Sequence, residues 1–273
     1  MILKKGDKVA VVGCSDPMIS YEVVNKIFFI LEDKGLVPVM SRYLFGRDSN
    51  AQRRAEFLCN CFEDDSIKAI FDISGGDLAN ETVGYIDFDV IKNHPKPYFG
   101  YSDNTCIITA INKKCRINAY LYQLTNIIYK NREKFFDFLF KDEKSIFNFS
   151  YEFIRGEHMD GRISGGNIRC LLKLAGTEFF PDLYGRILFL ESKSGKENRI
   201  RAYFAQLRQI GVFNMVSGVI LGTFTELEKD SSSEKVLRIA KENIPESIPI
   251  IKTNEIGHSI DSKMLEIGKY YRI

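Results

Sequence analysis

Short apolar runs alternate with amphipathic stretches along the first half of the chain. The runs Lys8–Val12 and Ala69–Ile73 have the length and composition of buried strands, and Leu36–Met40 is a further strand of this kind. Between them, Ser20–Leu31 and Ala51–Phe62 repeat apolar residues every three or four positions, which predicts helices. Strands separated by helices predict a parallel sheet with helices on both faces. Functional side chains in such sheets gather at the carboxyl ends of the strands.

The second half of the chain repeats this alternation. The runs Arg186–Glu191, Ser217–Gly222 and Pro249–Lys252 predict strands, and Arg199–Gln209 and residues 233–242 predict helices. The same argument therefore predicts a second α/β unit.

A charged, phenylalanine-rich segment over residues 126–162 separates the two halves. We predict a helix around Arg132–Phe140 in this segment, followed by a linker. The chain is therefore predicted to be an α/β protein with an N-terminal domain over residues 1–145, a linker over residues 146–163 and a smaller C-terminal domain over residues 164–273.

The composition is that of an ordinary globular protein, with 45% apolar residues, 27% charged residues and a net charge of +2 over 273 residues. This charge gives no reason to expect a nucleic-acid partner. The apolar runs fall far short of the roughly 18 residues needed to cross a bilayer, so we expect no membrane association. The first residues lead into the strand Lys8–Val12 without an apolar signal region, which predicts a cytoplasmic protein.

The six cysteines predict reduced, mostly buried thiols. They form no Cys-x-x-Cys pair. Cys59 and Cys61 are the closest two, but this spacing is poor for zinc and no nearby histidine completes a ligand set. We therefore expect no metal ion at this pair.

The segment Pro97–Thr105 carries the strongest indication of chemistry. A short aromatic strand runs into Gly100-Tyr101-Ser102 and then directly into an apolar helical stretch. A sharp turn between strand and helix exposes a serine hydroxyl at the edge of a sheet, and the N–H of the next residue, Asp103, can point at the same spot. This predicts a nucleophile with part of its oxyanion hole. The alternative is an ordinary turn in which Ser102 or Asp103 caps the helix.

Asn104 stands where the usual Gly-x-Ser-x-Gly pattern has its last glycine. Asparagine adopts strained or left-handed backbone more readily than most other residues. The sharp turn therefore remains feasible with Ser102 as the candidate nucleophile.

A serine nucleophile needs a base, and the chain has three histidines. His258 follows a strand and Gly257, which is the expected place for a catalytic base. His94 lies in a polar loop and His158 in the charged linker, so we expect both at the surface. The alternative for His258 is a structural role.

The group that orients the base should also lie at a strand end, and Glu191 closes a run of four apolar residues. A buried carboxylate needs a partner, which a histidine N–H would supply. The alternatives for Glu191 are solvent exposure or an ion pair with Arg199 or Arg201. Glu226 and Glu228 follow Gly222 in a similar way and are competing candidates.

A glycine turn supplies a second candidate oxyanion donor. Gly75-Gly76-Asp77 follows the strand Ala69–Ile73, and two glycines allow backbone N–H groups to turn inward. The alternative is a tight turn with only a structural role.

Four motifs occur in a defined order: Gly100–Thr105, Gly165-Gly166-Asn167-Ile168, Leu188–Glu191 and Ile256–Ser259. Ser102 and Glu191 are separated by 89 residues, and Glu191 and His258 are separated by 67 residues. In this order they resemble the motifs of the LD-carboxypeptidase family of serine peptidases, which includes the microcin C immunity proteins. The resemblance extends from Val11 to about Gly268.

The resemblance implies a Ser–Glu–His triad, with Ser102 as nucleophile, His258 as base and then acid, and Glu191 as its orienting group. It implies an oxyanion hole from the backbone N–H groups of Gly76 and Asp103. It also implies a flavodoxin-like or amidotransferase-like N-terminal domain, a C-terminal domain that carries the glutamate and the histidine, a homodimer, and no metal or organic cofactor.

Two substrate classes follow from the resemblance. The sequences Gly75–Glu81 and Tyr85–Asp89 are similar to the immunity branch, which cleaves the bond between an aminoacyl group and a nucleotide-like moiety. The alternative is a cytoplasmic LD-carboxypeptidase, which removes terminal D-alanine from murein tetrapeptides. Asp77 and Asn167, within these motifs, are candidate substrate contacts.

The linker of the chain differs from that of the immunity branch, because it is short and the chain has no tryptophan. Phe149 and Phe153 are candidates to stack on a nucleobase, since any aromatic face can do so. The alternative is a linker whose phenylalanines pack against their own domain. A non-catalytic protein that binds a small ligand in its cleft is a further alternative for the whole chain.

Overall fold

The computed structural model describes residues 2–229 and 233–273, and the predicted alternation of strands and helices is present there. The strands are β1 (Lys8–Val12), β2 (Val37–Met40), β3 (Ile67–Asp72), β4 (Tyr98–Gly100), β5 (Ala119–Leu121), β6 (Glu152–Arg155), β7 (Asp160–Asn167), β8 (Ile187–Ser192), β9 (Gly218–Phe224), β10 (Ile250–Lys252), β11 (Leu265–Ile267) and β12 (Tyr270–Arg272). The helices are α1 (Tyr21–Asp33), α2 (Ala51–Glu63), α3 (Ala79–Val83), α4 (Phe88–Asn93), α5 (Thr105–Cys115), α6 (Arg132–Lys141), α7 (Ile168–Lys173), α8 (Glu197–Gln209), α9 (Thr225–Glu228) and α10 (Glu234–Asn243). The α/β fold class is confirmed.

The first sheet has the strand order β11-β5-β4-β3-β1-β2. Its strands from the first half of the chain run parallel, and β11 pairs antiparallel with β5. Parallel strands end at the same edge of a sheet, so the residues that follow β1, β3 and β4 lie near one another. Ser102 follows β4, and the Gly75-Gly76 turn follows β3.

The second sheet has the strand order β12-β7-β8-β9-β10-β6. The four central strands are parallel, and the two edge strands, β12 and β6, are antiparallel to their neighbours. The carboxyl ends of β7 and β8 carry Asn167 and Glu191, and His258 lies in the segment that follows β10. The candidate residues of the second half therefore collect at one edge of this sheet.

Helix α5 connects the hydrophobic cores of the two halves. Nine of its eleven residues are buried. Ile107 and Ile108 belong to the same apolar cluster as Ile163 of β7 and Phe189 of β8. Burial on nearly all sides explains why α5 is apolar around most of its circumference, and it places the start of the helix, next to Ser102, between the two sheets.

The predicted linker over residues 146–163 is wrong in part, because this segment contains β6 and the first residues of β7. β6 pairs with β10, and β7 pairs with β8 and β12. Neither strand has the continuous apolar run by which a strand is recognised in a sequence. β6 is an edge strand without a buried residue, and β7 contains three glycines. Both strands depend on pairing with their neighbours.

The last strands of the chain contact both sheets. β11 pairs with β5 of the first sheet, and β12, three residues later, pairs with β7 of the second. The C-terminal segment therefore links the two sheets directly.

Helices of the described ranges are all too short or too polar to cross a bilayer.

Candidate active site

Ser102 lies at the sharp turn between β4 and α5. Its φ of 57° is in the left-handed region, which costs a residue other than glycine roughly 1–2 kcal/mol. Gly100 permits this tight turn, because a Cβ there would lie 2.9 Å from the Cβ of Asn104. Strained backbone of this kind concentrates at functional sites. The turn therefore has the geometry that presents a serine side chain.

Asn104 supports the turn through its side chain and not through left-handed backbone. The sequence argument places strained backbone at this residue, which is wrong: its φ is −63°, and the left-handed residue is Ser102. The buried amide of Asn104 donates to Asp72 Oδ1 and to the carbonyl oxygen of Ser74, both at 2.9 Å. Asparagine thus joins the turn to the loop after β3, which a glycine could not do.

Asp72, at the end of β3, is a buried carboxylate that accepts hydrogen bonds from five donors. Its Oδ1 accepts from the amide and hydroxyl of Ser74 and from Asn104, and its Oδ2 accepts from the N–H of Cys14 and the hydroxyl of Tyr98. Burial raises the pKa of this carboxyl above its ordinary value, and the donors of Ser74 and Cys14 oppose that shift. The carboxylate ties the loops after β1 and β3 to the turn after β4.

We expect Asn104→Ala to lower the free energy of unfolding by about 1–3 kcal/mol, because it removes a donor from buried Asp72 and leaves the Ser74 carbonyl without this partner. Urea unfolding followed by circular dichroism measures the change. Asn60→Ala, at an exposed position of α2, is the matched control and should change the free energy by no more than about 0.7 kcal/mol. An Asn104→Ala protein as stable as the parent would contradict this role.

The structure brings Ser102, His258 and Glu191 into one hydrogen-bonded chain. His258 Nε2 lies 3.0 Å from Ser102 Oγ, and His258 Nδ1 lies 2.6 Å from Glu191 Oε2. A carboxylate beside Nδ1 keeps the proton of a neutral imidazole on that nitrogen, which leaves Nε2 free to accept the serine proton. The chain of contacts can therefore carry out nucleophilic and general acid–base chemistry.

Glu191 is fully buried, and both of its carboxylate oxygens have partners. Oε2 faces His258, and Oε1 accepts a hydrogen bond of 2.9 Å from the side-chain amide of Asn167. Asn167 also caps the start of α7, where its oxygen accepts from the N–H of Cys170. Asn167, which the sequence suggests as a substrate contact, thus holds the carboxylate that faces His258. Two partners stabilise a charge that would otherwise be costly to bury.

The competing carboxylates and histidines have other partners. Glu226 accepts from the N–H of Gly195, and Glu228 pairs with Lys252 at 3.1 Å. The other two histidines lie beside surface aspartates, His94 at 3.8 Å from Asp65 and His158 at 3.7 Å from Asp160.

The Gly75-Gly76 turn lies close to Ser102. A Cβ on Gly75 would be 3.8 Å from the Cβ of Ser102. Gly76 has a φ of 124°, and a Cβ there would meet the Asp16 side chain at 2.2 Å. The turn therefore requires glycine at position 76 and brings backbone groups close to the serine.

Asp103 follows Ser102, and its side chain is fully buried. Its carboxylate accepts from Ser15 Oγ at 2.6 Å, from the N–H of Ala79 at 2.8 Å and from Lys173 Nζ at 2.7 Å. The side chain is thus fixed beneath the turn. Its backbone amide is the part of Asp103 that can serve chemistry at Ser102.

A cavity of about 340 Å³ opens at Ser102 between the two sheets. Its walls include five predicted site residues: Gly76, Asp77, Ser102, Asn167 and His258. Phe149 and Phe153 do not line it; they are half-buried and pack against the apolar cluster that includes α5. The structure therefore assembles most of the predicted site but does not bring these two phenylalanines to it.

Two cations at the cavity were missed from the sequence. Arg169 and Lys193 both line it. Arg169 forms an ion pair with Asp77 and donates to the carbonyl oxygen of Gly76 at 2.7 Å. The sequence contains a signal for both cations, because Arg169 lies two residues after Asn167 and Lys193 lies two residues after Glu191. Periodicity alone gives no reason to place them at the site.

All six cysteines are free thiols, and five of them are buried, as the sequence predicts. Burial raises the pKa of Cys115 to about 11 and that of Cys61 to about 12, so both are protonated at neutral pH. Within the two described ranges, no group of three or more histidine, cysteine or acidic side chains is arranged so that it could hold a metal ion.

Two family models match this chain. The LD-carboxypeptidase N-terminal domain matches residues 9–123, and the LD-carboxypeptidase C-terminal domain matches residues 160–273. Ser102 lies in the first match, and Glu191 and His258 lie in the second.

Named relatives include two kinds of protein. A probable murein peptide carboxypeptidase of Bacillus subtilis is 28% identical over 97% of this chain and 88% of its own length. The microcin C7 self-immunity protein MccF of Escherichia coli is 24% identical over 82% of this chain and 76% of its own length.

Solved structures show the same fold over nearly the whole chain. An MccF-like protein from Bacillus anthracis superposes with a TM-score of 0.87 at 26% identity, covering 99% of this chain and 94% of the other. MccF in complex with glutamyl sulfamoyl guanosine superposes with a TM-score of 0.83 at 22% identity, with the same coverage. Taken with the two family models, these comparisons establish that the chain belongs to the LD-carboxypeptidase family of serine peptidases.

Proposed function

We propose that this protein hydrolyses an amide-type bond in a small peptide-like substrate, through an acyl-enzyme on Ser102. The observation that carries the proposal is the unbroken contact from Ser102 Oγ through the imidazole of His258 to buried Glu191, with distances of 3.0 and 2.6 Å. His258 is the general base and then the general acid, and Glu191 orients the imidazole and stabilises its charged form.

In the first half-reaction, Ser102 Oγ bonds to the substrate carbonyl carbon while its proton passes to His258 Nε2. The carbonyl electron pair moves onto oxygen, giving a tetrahedral oxyanion. The scissile bond then breaks as the oxyanion collapses, and His258 returns the proton to the leaving nitrogen. Glu191 remains ionised and stabilises the imidazolium throughout.

Backbone amides stabilise the oxyanion in this proposal. The N–H of Asp103 follows the nucleophile directly, and the Gly75-Gly76 turn supplies a second donor from Gly76. The close approach of Gly75 to Ser102 and the left-handed backbone of Gly76 support this assignment.

The second half-reaction replaces the leaving amine with water. His258 Nε2 removes a proton from the water as its oxygen bonds to the acyl carbon, and the second tetrahedral intermediate collapses with return of that proton to Ser102 Oγ. The products are a carboxylic acid and an amine, and the enzyme is regenerated.

Two substrate classes are compatible with the site. The likeness to MccF solved with glutamyl sulfamoyl guanosine favours an aminoacyl nucleotide, as the motifs around Gly75–Asp89 also do. The Bacillus relative that is 28% identical over nearly the whole chain favours a murein peptide that ends in D-alanine. Phe149 and Phe153 lend no support to nucleobase stacking, since neither lines the cavity.

A side-by-side hydrolysis assay tests the proposal. The wild type and Ser102→Ala are each incubated with a murein tetrapeptide ending in D-alanine and with an aminoacyl sulfamoyl adenosine, and products are identified by mass spectrometry. Release of D-alanine by the wild type alone supports the carboxypeptidase, and cleavage of the nucleotide alone supports the immunity-type enzyme. Binding of either compound without cleavage, and without labelling of Ser102 by a fluorophosphonate, would favour the non-catalytic alternative.

We expect Glu191→Gln to lower kcat by about 10⁴, because the neutral amide neither fixes the Nδ1 tautomer nor stabilises the imidazolium. Steady-state kinetics on the better of the two substrates measures this loss. Glu226→Gln is the matched control, since its carboxylate contacts Gly195 and not His258. Equal activity in Glu191→Gln and the wild type would remove Glu191 from the mechanism.

Homodimer formation, which the family resemblance implies, remains a prediction that analytical ultracentrifugation can test.

A further inference from the structure

A lysine from the second half of the chain reaches beneath the turn that carries Ser102. Lys173, the last residue of α7, donates from Nζ to Asp103 Oδ1 at 2.7 Å and to the carbonyl oxygen of Asp77 at 2.8 Å. The same nitrogen lies 3.4 Å from Asp77 Oδ1. One ammonium group thus contacts the segment after β3 and the segment after β4 at the same time.

These two segments carry the two backbone amides that the proposed mechanism needs. Asp103 provides one N–H itself, and Asp77 directly follows Gly76, which provides the other. Lys173 therefore joins the two sides of the proposed oxyanion hole. Its contact with Asp103 is sequestered from water, since the Asp103 side chain is fully buried and the Lys173 side chain is largely so.

Further contacts hold the glycine turn on two sides. Arg169, one helical turn before Lys173, donates to the carbonyl oxygen of Gly76 at 2.7 Å. On the other side, Asp16 accepts from the N–H of Asp77 at 3.0 Å, and its own N–H donates to the carbonyl oxygen of Gly75 at 3.2 Å. The turn is thus held between α7 and the loop after β1.

We propose that Lys173 is a positioning residue of the oxyanion hole, one that sets the separation of the Gly76 and Asp103 amides. The inference rests on the proposed function of Ser102. Oxyanion donors act only when they lie about 2.7–3.1 Å from the developing charge, so a small displacement of one segment loses stabilisation of the transition state. The ammonium is well suited to this task because it bonds to both segments and is not among the residues that line the cavity.

A simpler role for Lys173 would be to neutralise buried Asp103, and two variants separate these roles. Lys173→Met removes the link but leaves an unpaired buried carboxylate, which by itself could prevent folding. Lys173→Met/Asp103→Asn removes the link and the orphaned charge together, while the amide oxygen can still accept from Ser15 and Ala79. Lys26→Met, at an exposed position of α1, is the matched control.

The readouts are kcat and KM on the better substrate, the rate of Ser102 labelling by a fluorophosphonate, and circular dichroism to verify folding. For the folded double variant we expect kcat and the labelling rate to fall together by about 10²–10³, with KM changed by less than about threefold, because only transition-state contacts are weakened. Lys173→Arg should have a kcat and a labelling rate between those of the double variant and the wild type, since the guanidinium can contact both segments. Lys26→Met should match the wild type.

A folded double variant with wild-type kcat and labelling rate would overturn the inference and reduce Lys173 to a charge partner of Asp103. A loss confined to KM would also overturn it. Failure of the proposed function looks different, because the wild type itself would then neither turn over substrate nor label at Ser102.

Discussion

Ser102→Ala is expected to lower kcat by about six orders of magnitude, the loss seen when a serine peptidase loses its nucleophile. The substitution removes the atom that forms the acyl-enzyme. Hydrolysis would then depend on direct attack of water on the substrate, without a covalent intermediate. Folding should be preserved, because alanine and serine differ only by Oγ and share the same left-handed backbone strain. Product release followed by mass spectrometry measures the loss.

Ser150→Ala, at an exposed position, is the matched control and should leave turnover unchanged. Ser102→Gly extends the test, because glycine adopts left-handed backbone without strain. It should be as inactive as Ser102→Ala, and more stable by up to about 1 kcal/mol. Turnover retained in either Ser102 variant would refute Ser102 as the nucleophile.

We expect His258→Ala to lower kcat nearly as far as Ser102→Ala, because the nucleophile then has no base and the leaving amine has no acid. The same change leaves Glu191 buried without the imidazole that it faces at 2.6 Å. It should therefore also lower the free energy of unfolding by about 1–3 kcal/mol. Kinetics and urea unfolding report these two effects separately.

Added imidazole should restore part of the lost activity of His258→Ala, since the vacated space opens on the cavity beside Ser102. His94→Ala is the matched control, because His94 lies beside surface Asp65 and should not affect turnover. Undiminished kcat in His258→Ala would show that another group serves as base.

The sequence predicts the order of strands and helices well because most central strands are apolar runs and most helices have one apolar face. It also indicates which residues meet. Ser102 and Glu191 lie at or just after the ends of such runs, and His258 follows another strand, so the topology of parallel sheets brings them together. Three histidines in the chain left few alternatives for a base.

The errors arise where tertiary contacts decide the structure. β6 and β7 become strands through pairing with their neighbours, although their own residues give a weak strand signal. Asn104 was interpreted through its backbone preference, whereas the fold uses its side chain to reach Asp72. Lys173 lies 70 residues from Asp103, and no local pattern relates a surface-type residue on one helix to a buried carboxylate on another segment.

The C-terminal segment joins the two sheets, and this constrains how the protein can unfold and how its halves can be recombined. Because β11 completes the sheet that carries Ser102 and β12, three residues later, completes the sheet that carries Glu191, we expect neither half to fold as a separate module. Heating should give a single calorimetric transition, with equal calorimetric and van't Hoff enthalpies. A crossover between relatives after β5 and before β11 would pair the first sheet with a foreign edge strand. Recombination should therefore exchange these halves poorly, even though family models describe them as two domains.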